Sequence, residues 1–258
     1  MQADLPPLLA PDEPDPVQVL RAFGASDIFL TADHAGRLIP RSLNQLGVAE
    51  VDLDRHIAWD IGIAGVTRYL SAALDATAVL QAYSRLVIDC NREPAWPTAM
   101  PEISEYTAIP GNQNLSAADR AARVAAIFTP YQTRITRLLD ARQAAGRRTV
   151  LVAMHSFTPN FKGERRDMEV GVLYNKDVTL ARIMLDLLRA EGDLIVGDNA
   201  PYAITGDSDY GIPVHGEQRG LPHVEIEIRQ DLIADDTGQS EWAARFARLL
   251  PDAIKRLS

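Results

Sequence analysis

The sequence predicts an α/β fold: a single-domain αβα sandwich on a mostly parallel, mixed sheet. Three observations carry this. Short apolar runs of strand length alternate with longer amphipathic stretches. The 258 residues suffice for one substantial core. Residues of chemical character fall where apolar runs give way to loops, as at the ligand crevice beyond the carboxyl ends of strands in an open α/β sheet.

Residues 1–26 carry Pro6, Pro7, Pro11, Pro14 and Pro16 and read as an irregular arm before a domain spanning 27–258. Ile28–Thr31 suits a buried strand and ends in the turn Ala32-Asp33-His34-Ala35-Gly36. From His56 to about Leu74 the apolar positions follow helical spacing, with Asp54 placed as an N-cap. Strands are expected at Ala78–Ala82 and Leu86–Cys90, then a polar loop from Glu93 to Leu115. Ser116 and Asp119 form a capping-box start for a long helix that Pro130 should kink and Gly146 should end. Thr149–Met154 reads as a central strand leading into His155, and Val170–Leu173 as another. Asp177 caps a helix that Gly192 stops, and Leu194–Val196 is a short strand. A Gly/Asp/Pro-rich loop runs to Leu221, His223–Ile228 is a strand, and an amphipathic helix through Trp242, Phe246 and Leu249 closes the chain.

Charge and composition exclude several function classes. Net charge is −9, from 26 basic and 35 acidic residues, which argues against nucleic acid and anionic membranes as partners. A local arginine cluster would still accept a small acidic substrate. The single cysteine allows no intramolecular disulfide and no Cys-rich zinc site. Met1 to Pro16 is acidic and proline-rich, unlike a secretory leader, and no apolar run approaches the ~18 residues of a membrane span. The expectation is a cytoplasmic enzyme, monomeric or a small homo-oligomer.

Of five histidines, His34 and His155 stand out because each follows an apolar strand. A catalytic zinc takes three ligands from His and carboxylate and keeps one open position. Two histidines and one acid would meet that need. Asp33, adjacent to His34, and Asp54, further along the chain, are candidate acids, although Asp33 equally suits a turn and Asp54 a helix cap. Arg85 and Arg92 bracket an apolar run, with Asn91 beside the second, as a fork for a carboxylate or as ordinary strand-end charges. Asp89 reads as structural. Glu225, Glu227 and Arg229 alternate with aliphatics, which fits a half-exposed edge strand or a glutamate facing a reactive water. No G-x-S-x-G, G-x-G-x-x-G, Walker A or H-E-x-x-H motif is present. Cys90 reads as apolar filler, and Ser156 points away from its neighbour His155.

Together these motifs resemble the N-formylglutamate amidohydrolase family over most of the chain. The match runs through Asp33-His34-Ala35-Gly36, Asp54-Arg55-His56-Ile57, Ser84 to Arg92, His155-Ser156-Phe157 and Glu225 to Leu232. That family is similar in turn to zinc carboxypeptidases, which implies the same αβα architecture. The resemblance implies Zn2+ on His34 and His155, Glu227 as general base, and Arg85 as a catalytic, substrate-facing cation. It also implies that Arg85, Asn91 and Arg92 grip the substrate carboxylate or polarise the scissile carbonyl, with Tyr202 and His215 lining the pocket. The H-x-x-E pair of the carboxypeptidases is absent, since Arg37 stands three after His34. Asp54 is therefore taken as the third metal ligand, with His56 as its substitute. The implied reaction is zinc-dependent hydrolysis of an amide or formamide bond in an N-acyl amino acid. N-formyl-L-glutamate would give formate and glutamate, as in histidine degradation. The alternatives are a carboxypeptidase-like or other acylamino-acid hydrolase, or a zinc-free relative that binds a small carboxylate.

Overall fold

Alternating aliphatic runs form the strands of this protein, described in a computed structural model over residues 7–206 and 208–257. The first six residues of the arm, Pro6 among them, lie outside the described residues. The main strands are β1 (Val17–Leu20), β2 (Ile28–Ala32), β3 (Thr77–Gln81), β6 (Val150–Phe157), β9 (Val170–Leu173), β10 (Val196–Asp198) and β11 (His223–Arg229). Two-residue strands form the hairpins β4–β5 (Ile103–Ser104, Thr107–Ala108) and β7–β8 (Asn160–Phe161, Glu164–Arg165). The seven main strands make one sheet in the order β1-β3-β2-β6-β11-β9-β10. Strands β3, β2, β6 and β11 run parallel, β1 and β9 join antiparallel, and β10 pairs parallel with β9. This is the expected mixed, mostly parallel sheet.

The helices are a single turn α1 (Glu50–Leu53), α2 (Ile63–Leu74), α3 (Ala117–Arg123), α4 (Thr129–Ala144), α5 (Thr179–Ala190) and α6 (Asp236–Arg256). Helices α2, α5 and α6 cover one sheet face, where Leu30, Val152, Val170 and Ile226 meet Val66, Met184 and Phe246. The opposite face packs Phe29, Val79 and Leu151 against Tyr131, Ile135 and Leu139 of α4 and against the loop of residues 84–92. Burial of these two apolar layers is the main stabilising term. Among the described residues no helix is long and apolar enough to cross a membrane.

Four local expectations need correction. The arm is not wholly irregular, because β1 pairs with β3. Asp54 caps no helix start: it follows α1 at its C-terminal end, and α2 begins at Ile63 behind Gly62. The long helix does begin at the Ser116–Asp119 capping box, but it is split by a wide π-turn at Val124–Phe128 before Pro130. That turn accommodates the N–H that proline lacks.

Leu86–Cys90 is not a strand at all. Its apolar residues are buried, and the carbonyls of Leu86, Val87 and Cys90 take side-chain donors rather than a ladder. Asn112 Nδ2 donates to Leu86 O at 2.9 Å, and Arg123 Nη1 donates to Val87 O at 2.9 Å. Arg123, only 1% exposed, also donates to Gly111 O and Asn112 Oδ1. Replacing it by leucine strands two buried acceptors and one part-buried one, at ~1–3 kcal/mol for each buried acceptor before relaxation. Arg123→Leu should therefore lose about 3 kcal/mol in urea unfolding, and a loss below about 1 kcal/mol would contradict this account.

Candidate metal centre and its pocket

Strands β2, β6 and β11 lie side by side and parallel, so their carboxyl ends open on one crevice. Period two sends Val152, Met154, Ile226 and Ile228 into the helical layer of α5 and α6. His155, Glu225 and Glu227 therefore take the other face, and His155 stands in register with Glu227 on the adjacent strand. The edge-strand reading of β11 fails: the strand is flanked by both β6 and β9. Glu225 and Glu227 are 3% and 5% exposed.

Beyond β2 the chain turns at Gly36, where an added Cβ would lie 2.0 Å from Ala82 O. The missing side chain lets the turn bearing His34 press against the chain leaving β3, where Leu38 N donates to Ala82 O. Overpacking of this kind costs ~1–3 kcal/mol. Gly36→Ala should unfold at lower urea by that amount and bind metal less tightly. Wild-type behaviour in both assays would show the close approach to be dispensable.

His34, Asp60 and His155 converge, with one ligand atom from each lying within 4.8 Å of the others, and all three are buried. Asp60 Oδ2 is 2.9 Å from His155 Nδ1 and 3.5 Å from His34 Nδ1, and it accepts from Ser156 N at 3.2 Å. Asp60 is placed by its own backbone N–H, which donates to His34 O at 2.9 Å. Behind His34, Nε2 sits 2.7 Å from Asp89 Oδ1. Asp89 is gripped in turn by Arg85 Nη2 at 2.7 Å. A carboxylate on the far nitrogen of an imidazole fixes ring and tautomer in metal sites. Asp89 is thus part of the site rather than mere scaffold.

The third member of this cluster is Asp60, not Asp54. Asp54 is over half exposed and pairs with Arg37. His56 lines the pocket but lies outside the cluster, its Nε2 3.6 Å from Glu105. Asp60 had a signal in the sequence, a lone acid in the run Ile57-Ala58-Trp59-Asp60-Ile61, which the helical reading of that stretch concealed.

A cavity of about 490 Å³ opens onto the cluster, a size suited to a small ligand. Arg85, Asn91, Arg92, Tyr202 and Glu227 all line it. His215 does not. It is buried beneath Tyr210 with Nε2 2.7 Å from Gln132 Oε1, and burial with the nearby Arg219 lowers its pKa to about 4. Its ring is a packing group, which corrects the expectation that it lines the pocket.

The electrostatics are those of buried, opposed charges. Burial alone would raise the pKa of Asp60, but the facing imidazoles of His34 and His155 reverse this and hold it well below the carboxylate range. Glu227 goes the other way: burial, reinforced by the charges of Asp60 and Glu225, outweighs His155 and raises it well above normal. Glu225 is pushed up to about 7, again by burial against the pull of His155. Cys90 is buried, and burial drives it well above the usual thiol value, which disfavours the thiolate.

A family model described as N-formylglutamate amidohydrolase matches residues 26–234. A crystal structure of a gene product from Agrobacterium tumefaciens is 40% identical, with a TM-score of 0.93, covering 97% of this chain and 99% of that one. An N-formylglutamate amidohydrolase from Ralstonia eutropha JMP134 shares the fold at 18% identity and TM-score 0.63, over 91% of this chain and 97% of its own. No match was found among curated proteins. With a family model spanning four fifths of its length and a 40% identical relative aligned nearly end to end, this chain belongs to the N-formylglutamate amidohydrolase family.

Proposed function

We propose that this amidohydrolase holds a zinc ion on His34, Asp60 and His155 and hydrolyses N-acyl amino acids, N-formyl-L-glutamate foremost, to formate and glutamate. The observation that carries this reading is the inward-facing donor set beside Glu227. His34 Nδ1 is buried with no hydrogen-bond partner, while its other nitrogen is committed to Asp89. Two imidazole nitrogens and one carboxylate oxygen are the donors a catalytic zinc takes, with a fourth position left for water or substrate. When bound, the ion supplies Lewis-acid polarisation of the scissile carbonyl and acidifies the attacking water.

The rest is done by the chain. Glu227 Oε2 is buried and unpartnered on the strand next to His155, placed to take a proton from the water and return it to the leaving nitrogen. Its raised proton affinity suits a group that must accept a proton and give it back. Arg85, braced by Asp89 and 3.6 Å from Asp60, presents a fixed positive charge to the oxyanion. Tyr202, 40% exposed, stands at the pocket wall where the remainder of the substrate would lie.

The test combines zinc quantification with formate release from N-formyl-glutamate and N-formyl-aspartate, and with amino-acid release from the N-acetyl analogues. About one zinc per chain and preferential release from N-formylglutamate are expected. Zinc-replete protein that leaves all four substrates intact would end this reading.

A further inference from the structure

The Asn91–Arg92 pair, expected to grip a substrate carboxylate, already holds one from the chain itself. Asp209 Oδ1 accepts from Asn91 Nδ2 at 3.2 Å and from Arg92 Nη1 at 3.3 Å. Its other oxygen accepts locally, from Ser208 Oγ and from Thr205 N at 3.3 Å. Asp209 lines the same cavity as Glu227, and its side chain is only 12% exposed. Asn91 also pins the segment behind it, since its Oδ1 accepts from Tyr210 N at 3.0 Å and Gly211 N at 2.8 Å.

We propose that Asp209 is a specificity-determining residue that occupies the Asn91–Arg92 seat in place of a ligand carboxylate, which must displace it to bind there. This deepens the reading above and rests on its premise that the ligand bears a carboxylate. The chemistry makes displacement feasible. Asp209 meets the two donors through a single oxygen, whereas a free carboxylate can engage a guanidinium through both. The bonds from Ser208 and Thr205 lie within Asp209's own loop, so they travel with it when it leaves. A second carboxylate aimed at the same two donors, Asn91 Nδ2 and Arg92 Nη1, would meet Asp209 Oδ1 itself, so occupancy of this seat is exclusive. The effect falls on the anion alone: a ligand carboxylate reaches the seat at reduced affinity, whereas a neutral ligand does not displace Asp209 and binds without using the seat.

The probe is glutarate, with glutaramide as its neutral counterpart, titrated calorimetrically into the folded protein. Asp209→Ala should bind glutarate at least about tenfold more tightly than wild type, and the isosteric Asp209→Asn at least about threefold. Glutaramide binding should not change. Adding Arg92→Gln to Asp209→Ala should remove the gain. A misfolded variant cannot produce tighter, carboxylate-selective binding, and Asp209→Asn preserves the loop's shape. If both single variants bind glutarate no more tightly than wild type, or if the gain survives Arg92→Gln, the proposal is overturned. The readout needs no turnover, so inability of the wild type to hydrolyse N-acyl amino acids would defeat the proposed reaction while leaving this result to stand or fall alone.

Discussion

Glu227→Gln should retain its zinc and its fold yet lose on the order of 10²–10⁴ in kcat, the range attributed to general acid–base catalysis. The substitution keeps volume and hydrogen-bonding shape but abolishes a carboxylate able to take a proton. Structure should be spared, because Oε2 of Glu227 makes no hydrogen bond that the amide would break. KM should move little, because the group acts on the water rather than on the substrate's anchors. Glu225→Gln is the natural control. It lies two residues away on the same face, 3.9 Å from His155 Nε2, and stands opposite Ala153 rather than His155. A far smaller loss of turnover is expected there. Equal losses in the two variants, or full turnover by zinc-loaded Glu227→Gln, would remove Glu227 from its assigned role.

Much of this architecture was legible in one dimension because its strands are buried and short. Val170–Leu173 is found at its expected bounds, and the strand bearing His155 begins within a residue of expectation. The capping box at Ser116 and the breaks at Gly146 and Gly192 likewise follow from backbone chemistry that a local stretch carries. What failed were segments whose hydrogen bonds are supplied from far away. Leu86–Cys90 has the composition of a strand, but its carbonyls are met by Asn112 and Arg123, and periodicity cannot reveal donors 26 and 36 residues distant. The alternation Glu225-Ile226-Glu227 fits a solvent face because a buried acid and a hydrated one look alike in sequence. Asn91 and Arg92 were singled out for their chemistry, and the structure adds the partner that changes their meaning, Asp209, 117 residues beyond Arg92.

Asp60 is where the two lines of reasoning diverge most, and it supports the other large expected effect. Asp60→Asn should lower zinc affinity by at least about a hundredfold, whereas Asp54→Asn should leave it unchanged. Loss of an outer-shell partner typically costs ~10–100-fold in metal affinity, so loss of a charged member of the donor set should cost no less. The asparagine is also neutral, and if its one oxygen keeps the bond from Ser156 N its N–H₂ replaces the oxygen that faces Arg85. Asp54 pairs with Arg37 on the surface, an interaction of a kind worth ~0–1 kcal/mol, and is not a member of the buried cluster. Competition with a chromophoric chelator reads both affinities directly, and circular dichroism checks that each variant is folded. The order of the two results is decisive. Zinc retained by Asp60→Asn and lost by Asp54→Asn would mean that the buried triad is an ordinary polar cluster. The metal would then sit on the segment around Asp54 and His56. The expected order would fix the third ligand on the residue that the fold, through the Asp60 N–H to His34 O bond, sets between the two histidines.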